Sequence, residues 1–301
     1  MLGLEGSGKT TFIFAVVKAF IKFGKDLGWH CEYSPMSKTI EQGIADFVSI
    51  GKLPHKTKEI TVFEIRLKLT GPFSERNYEH RLEIMDIPEN VLLSDQLHKD
   101  VQQYVKYVDG VLLFKEIIQS SNTSDIAPLY KFMSRNISTD HMKHEPFVAV
   151  CFPKVDKYIS NFISLSDIFS KTKFSGWDDF TLLKSRDFLG YFATIFDRKH
   201  SNLYASSSVG WVKSSNGNHF PNITAITGSA DKYIYKLEDW RPNNILEPLM
   251  WLIDNIEFMA LDKNLRDPLY SQQLINYWEW FEIKQKLPNY EIGYIEWQKT
   301  R

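Results

Sequence analysis

The sequence predicts an α/β domain of three layers with a mostly parallel sheet, and three observations lead to that expectation. Gly3-Leu4-Glu5-Gly6-Ser7-Gly8-Lys9-Thr10 fits the pattern G-x-x-x-x-G-K-[ST] at every fixed position and runs straight into an apolar helical stretch that ends near Phe23. Two short runs, at 110–114 and 147–152, are apolar throughout, as strands covered on both faces are. Helix-patterned segments precede and separate these runs, an alternation that builds a parallel sheet with ligands at the carboxyl ends of its strands.

Only Met1 and Leu2 stand ahead of the glycine loop. Such a loop is launched from the end of a central strand of about 5 residues. The first strand is thus nearly absent, which predicts either an N-terminally truncated reading with an apolar β-branched run upstream of Met1, or another segment in the central slot. After the first helix, Gly28 reads as a stop, 29–33 as an extended run and 37–49 as a helix. The runs 59–69 and 80–85 alternate apolar and polar residues, which marks an antiparallel pair of half-exposed strands. The second of them ends in Asp86.

From there the pattern predicts a helix over 93–107, a strand over 110–114, a helix over 126–133 and a strand over 147–152. Segment 159–175 has no decisive pattern, 179–196 reads as an amphipathic helix, and a short strand over 202–205 leads into Ser206-Ser207-Ser208. The stretch 211–235 is polar and turn-rich, an excursion from the core, and an apolar helix resumes over 244–256. The expected domain therefore spans 1–256 with a polar insertion near 211–235. A helical, aromatic-rich extension over 257–301 follows, with Trp278, Trp280, Phe281, Tyr290, Tyr294 and Trp297.

A chain of 301 residues, 43% hydrophobic and 24% charged, has ordinary globular composition and can bury a large core. A net charge of -1 leaves no overall electrostatic footprint for nucleic acid or an anionic membrane. Cys31 and Cys151 are too few for a disulfide framework and lack metal-ligand spacing, so a cytoplasmic setting is expected. No apolar run is long enough for a membrane span, and Lys18 and Lys22 interrupt the first helix and make it amphipathic.

The glycine loop has a direct chemical reading. Successive backbone N–H groups from Glu5 to Thr11 can surround phosphate oxygens, Lys9 can reach the outer phosphates, and the Thr10 hydroxyl can ligate Mg²⁺. Asp86 ends a strand where a phosphate-loop protein puts its Mg²⁺-side carboxylate, and Thr57 lies where such proteins keep a threonine that closes on the metal. Pro153-Lys154-Val155-Asp156 comes directly off a buried strand. As solvated loop charges, Lys154 and Asp156 need no explanation. In that position, however, a lysine stem can lie along a purine while an aspartate accepts two hydrogen bonds from the guanine edge. Ser207 stands in the next strand-end loop, either an ordinary serine-rich turn or the place where the base carbonyl meets backbone N–H groups.

On these motifs the chain resembles a Ras-like P-loop GTPase of the translation-factor-related class, and within it the bacterial double-GTPase-like proteins associated with conflict systems. The general motifs run from Gly3 to about Gly210. The narrower likeness adds Gly51-Lys52-Leu53-Pro54-His55-Lys56-Thr57 and Arg241-Pro242 through Trp251. The resemblance implies a three-layer P-loop NTPase domain that binds GTP or GDP with Mg²⁺. It assigns Glu5, Gly6, Ser7, Gly8, Lys9, Thr10 and Thr11 to the phosphates, Thr10, Thr57 and Asp86 to the metal, and Lys154, Asp156 and Ser207 to the base. Lys9, Thr57 and Asn90 fall on the catalytic side.

Three departures qualify that picture. Glu89 stands where the glycine of D-x-x-G is expected, Asn90 where a water-orienting glutamine is, and Pro153 where Asn or Thr is. The expected function is a guanine-nucleotide switch with slow Mg²⁺-dependent hydrolysis and a protein partner or effector. A nucleotide-binding assembly module with little turnover, its partners docking on the aromatic tail, is the second expectation. An ATP-dependent phosphotransferase, which would leave Lys154 and Asp156 idle, is the third. Oligomeric state is not legible.

Overall fold

The computed structural model describes residues 1–23, 29–35, 38–55, 58–69, 78–94, 99–116, 127–136, 146–154, 156–157, 200–213, 215–216, 219–226, 232–240, 242 and 245–264. Its centre is a four-stranded parallel sheet of β1 (Leu2–Gly3), β5 (Gly110–Phe114), β6 (Phe147–Phe152) and β7 (Ser201–Ala205), in the spatial order β1-β5-β6-β7. Every residue of β6 and β7 is buried, as expected of strands with helices on both faces. A second sheet, antiparallel, joins β2 (Trp29–Pro35), β3 (Thr61–Leu69) and β4 (Tyr78–Asp86) in chain order. The α/β class and the antiparallel strand pair both stand as expected.

The two sheets meet through the N-terminus. The Met1 nitrogen donates to the Met85 carbonyl, and the Met1 carbonyl accepts from Ile87 N–H at 3.4 Å, while Leu2 and Gly3 pair with Leu113 and Phe114. The glycine loop is thus launched between β4 and β5. No other described segment fills that central position.

Helix α1 (Lys9–Phe23) follows the loop, then α2 (Lys38–Ile50), α3 (Glu89–Leu92), α4 (Lys99–Lys106) and α5 (Ala127–Asn136). The final helix, α6 (Glu247–Asn264), packs along β5, β6 and β7 and runs past the expected domain boundary at 256. The aromatic tail beyond 264 lies outside the described residues, as do 159–175 and 179–196. The helix expected over 93–107 is found as α4 over Lys99–Lys106, and a separate short helix, α3, ends just ahead of the expected start. Pro88 takes the N-cap of α3 and starts it at Glu89, since proline is tolerated where a helix begins and has no N–H to donate inside one. A turn at Leu93 and Ser94 then ends it.

Lys18 does not mark a solvent-facing stripe, and that expectation is also corrected. α1 is buried on nearly all sides, with Phe12, Ile13, Phe14, Ala15, Val16 and Val17 almost fully enclosed, and Lys18 is itself only 7% exposed. Its ammonium lies 4.8 Å from the Tyr235 ring centroid and 4.7 Å from that of Trp240, donates to Tyr235 Oη at 2.7 Å, and reaches the Val48 carbonyl at 3.3 Å. Aromatic faces and hydrogen bonds replace the water that a buried cation loses. Burial still pulls the Lys18 ammonium down to about 8, with Lys22 adding to the effect.

The stretch 211–235 is exposed over 224–225 and 233–234, and its end packs on the core. It forms two short hairpins, β8 (Trp211–Lys213) with β9 (His219–Pro221) and β10 (Thr224–Ala225) with β11 (Tyr233–Ile234). Beyond them Tyr235 is buried against Phe47, ring centroids 4.8 Å apart, and donates its hydroxyl to the Phe47 carbonyl. Its own N–H donates to the Gly51 carbonyl at 2.8 Å. Among the described residues no helix is long and apolar enough to cross a membrane.

Tyr235→Phe removes one hydroxyl that serves both Lys18 and the Phe47 carbonyl while keeping the ring. A loss of about 1–3 kcal/mol is expected, read as a lower urea midpoint at unchanged m-value; an unshifted midpoint contradicts the assignment.

Candidate functional site

The site lies beyond the carboxyl ends of the parallel strands, where chain ends turn outward and their side chains converge. β1 delivers the glycine loop. Gly3 has no room for a side chain, since a Cβ there would sit 2.6 Å from the Phe114 carbonyl oxygen and 2.8 Å from Ser7 Oγ. Gly6 has open space around it but takes φ 71°, a left-handed conformation that costs any other residue about 1–2 kcal/mol. The loop then feeds α1 at Lys9, and Phe12 N–H closes the first turn on the Gly8 carbonyl at 2.8 Å. The positive end of a buried helix, with its amides aimed at the loop, favours an anion there.

Lys9 folds back across the loop, donating to the Gly3 carbonyl at 2.7 Å and the Leu4 carbonyl at 3.1 Å. Burial lowers its pKa, and the carboxylates of Asp86, Glu89 and Glu5 work against that shift. Thr10 donates its hydroxyl to Asp86 Oδ2 at 2.7 Å, so the two residues expected on the metal side are in contact. Asp86 is completely buried at the end of β4. Ser7 Oγ is buried with no hydrogen-bond partner among the described residues.

Glu89 is a residue that sequence reasoning treated only as a departure. It opens α3, and its carboxylate accepts the Glu5 N–H at 2.8 Å, which ties the loop to the segment after β4. Asn90, next on α3, is exposed. Thr57 lies outside the described residues, and Thr11 sits half-buried in the first turn of α1.

At the other end, β6 delivers Pro153, Lys154 and Asp156. Lys154 takes φ 60°, unusual for a residue with a side chain and a conformation that the surrounding structure must hold in place. Its ammonium donates to Glu116 Oε2 at 2.8 Å, and Lys157 donates to the other oxygen of the same carboxylate at 2.9 Å. Burial raises the pKa of Glu116, and the two lysines outweigh that effect and leave it below the ordinary value. Glu116 was missed from the sequence. Its position just past the end of β5 was the available signal, since functional side chains gather there.

Asp156 is 2% exposed, and burial raises its pKa against the opposing hydrogen bond from Ser207. Its Oδ2 has no hydrogen-bond partner among the described residues. Ser207, fully buried after β7, also accepts the Gly210 N–H at 2.9 Å. The two ends of the site adjoin, because a Cβ on Gly8 would come within 3.8 Å of Lys154 Cε and 3.9 Å of Pro153 Cβ. Glu5, Gly6, Ser7, Gly8, Lys9, Thr10 and Asp86 form one cluster, and Lys154, Asp156 and Ser207 another beside it.

Comparison with protein-family models, curated proteins and solved structures finds no match for this chain. Among the described residues no group of three or more His, Cys, Asp or Glu side chains is arranged to hold a metal ion. The Thr10 hydroxyl and Asp86 carboxylate suit a different mode, in which Mg²⁺ takes one or two protein oxygens and completes its shell with phosphate and water.

Gly3→Ala and Gly6→Ala separate the two demands of the loop. The first should lower stability by about 1–3 kcal/mol or more through overpacking, and the second by about 1–2 kcal/mol through backbone strain alone. Thermal midpoints of the purified variants test this, and an undisturbed Gly3→Ala protein would show that β1 does not pack on Phe114 as described.

Proposed function

We propose that this chain is a guanine-nucleotide-binding switch protein, a P-loop NTPase that holds GTP or GDP with Mg²⁺ and hydrolyses GTP slowly. The observation that carries this reading is the buried Asp156 oxygen without a partner among the described residues. An enclosed carboxylate oxygen is costly unless a donor meets it. The guanine edge offers N1–H and an exocyclic amine together, and adenine lacks that pair. Lys154, beside the glycine loop and tethered through its ammonium to Glu116, has an aliphatic stem available to lie along the base.

At the phosphate end, the loop amides, Lys9 and the N-terminus of α1 supply positive charge, and the buried Ser7 hydroxyl adds a group that a phosphate oxygen would satisfy. Mg²⁺ would be held by Thr10 and Asp86, with Thr57 expected to join them, and when bound it neutralises phosphate charge. Slow hydrolysis is supported by the residues after β4. Glu89 is engaged with the Glu5 N–H, and Asn90 is exposed and one methylene shorter than glutamine, so neither is disposed to order an attacking water.

The same Glu89–Glu5 contact favours a second reading, a nucleotide-binding assembly module with little or no turnover. A phosphotransferase using ATP leaves the Asp156 carboxylate without a role.

Lys9→Ala is expected to abolish nucleotide binding with the fold retained; unchanged affinity for a fluorescent guanine nucleotide removes Lys9 from the site. Asp156→Asn should move preference from guanine toward xanthine nucleotides, because an amide can donate to the carbonyl that replaces the amine. Equal competition by GTP, XTP and ATP before and after the change would defeat the base assignment. Turnover by the unassisted protein is expected at about 10⁻⁴ s⁻¹ or below, and none at all selects the assembly module.

A further inference from the structure

The glycine loop already holds an anion, and the chain itself supplies it. Glu89 Oε2 accepts the Glu5 N–H at 2.8 Å, and Glu5 opens the run of amides read above as phosphate donors. Pro88 at the N-cap of α3 and the Leu93 N–H on the Glu89 carbonyl at 2.9 Å hold the residue in place. Its charge also reaches the Lys9 ammonium: burial lowers that group's pKa, and the carboxylates of Asp86, Glu89 and Glu5 oppose the fall. Carboxylate and phosphate oxygens compete for the same donors. Glu89 thus engages one amide and one cation that the outer part of a phosphate chain would need. The base cluster adjoins the loop elsewhere, at Gly8, where a Cβ would lie 3.8 Å from Lys154 Cε and 3.9 Å from Pro153 Cβ. Glu5 stands three residues back along the loop, tied to the segment after β4. A nucleotide whose base meets Asp156 therefore runs its inner phosphates past Gly8 and the start of α1 and points its last one toward Glu5 and Glu89.

We propose that Glu89 sorts nucleotides by the number of their phosphates: its carboxylate takes the place of a third phosphate, so the site prefers guanosine diphosphate and admits the triphosphate only by giving up the Glu89–Glu5 contact. The inference rests on the guanine-nucleotide reading of the site. A diphosphate leaves that contact intact. A triphosphate brings added negative charge against the carboxylate and breaks a hydrogen bond to a charged group, a loss that corresponds to about tenfold or more in affinity. The contact is exposed, so salt screens the repulsion and limits the discrimination.

The test measures the affinity of the full chain for GDP and for a slowly hydrolysed GTP analogue with sulfur on the terminal phosphate, each with Mg²⁺, before and after Glu89→Gln. Glutamine keeps an oxygen that accepts the Glu5 N–H and removes only the charge. The unaltered protein is expected to bind GDP about tenfold or more tightly than the triphosphate. Glu89→Gln should close most of that gap by gaining affinity for the triphosphate, with the GDP affinity changed far less. Raising the salt concentration should narrow the gap in the unaltered protein and leave the variant's ratio where it is, because only the unaltered protein carries a carboxylate to screen. Should Glu89→Gln fail to fold, Glu89→Ala provides the same comparison, since it too removes the charge. A triphosphate bound as tightly as GDP by the unaltered protein overturns the proposal, and so does a ratio that the substitution leaves unchanged. A fall in affinity for both nucleotides overturns it as well, by making Glu89 a support for the whole phosphate site. If the unaltered protein binds neither nucleotide, the guanine-nucleotide reading fails and the proposal with it.

Discussion

Three residues hold two sheets together, and the glycine loop hangs from them. Met1 bonds to β4 on one side, and Leu2 and Gly3 to β5 on the other, so the loop leaves the sheet at a fixed height between the two strand ends. Because Gly3 lies against the Phe114 backbone with no space for a side chain, the loop cannot shift without separating β1 from β5. Two further ties close the arrangement from the β4 side. Thr10 reaches Asp86, and the Glu5 N–H reaches Glu89, so the loop and the segment after β4 form one hydrogen-bonded unit.

Parallel register brings the second cluster to the same edge. β5, β6 and β7 run side by side from Gly110–Phe147 and Val148–Ser201 onward, so the segments that follow them, with Glu116, Lys154 and Ser207, emerge together. Asp156 then takes a hydrogen bond from Ser207, while Lys154 is tied to Glu116. This is the physical content of a strand-end site: residues far apart in the chain converge because neighbouring strands finish at the same level. An unusual backbone angle at Lys154 is consistent with a position held for what its side chain does.

The far side of α1 is braced by contacts that have no part in the site. Lys18 sits among Tyr235, Trp240 and Phe47, which lock α1 to α2 and to the end of the 211–235 stretch. Asn222 reinforces the same region, accepting the Lys236 N–H and donating to the Lys236 carbonyl, both at 3.0 Å. Such a buried cation depends on every partner being present, since removing one leaves a polar group enclosed without compensation. The helix that presents its amides to the loop is therefore held from behind as well as from the front.

Much of this was legible in the residues themselves. The glycine spacing specified the loop, strict apolarity specified β5 and β6, and alternation specified β3 and β4, because each of these signals depends only on near neighbours in the chain. Thr10 and Asp86, expected separately on the metal side, lie in hydrogen-bond contact. Other features had no local signature. Lys18 reads as a surface lysine until Tyr235 and Trp240, more than two hundred residues later, fold over it. Glu116 reads as a loop charge until β6 brings Lys154 and Lys157 beside it, and Glu89 as a mismatch until its carboxylate meets the loop amide. By itself the sequence determined which segments are strands, helices and glycine loop, since those depend on spacing and backbone preference. Only the tertiary structure decided which charges are buried and which are paired, because desolvation and pairing are set by what the rest of the chain places around each group.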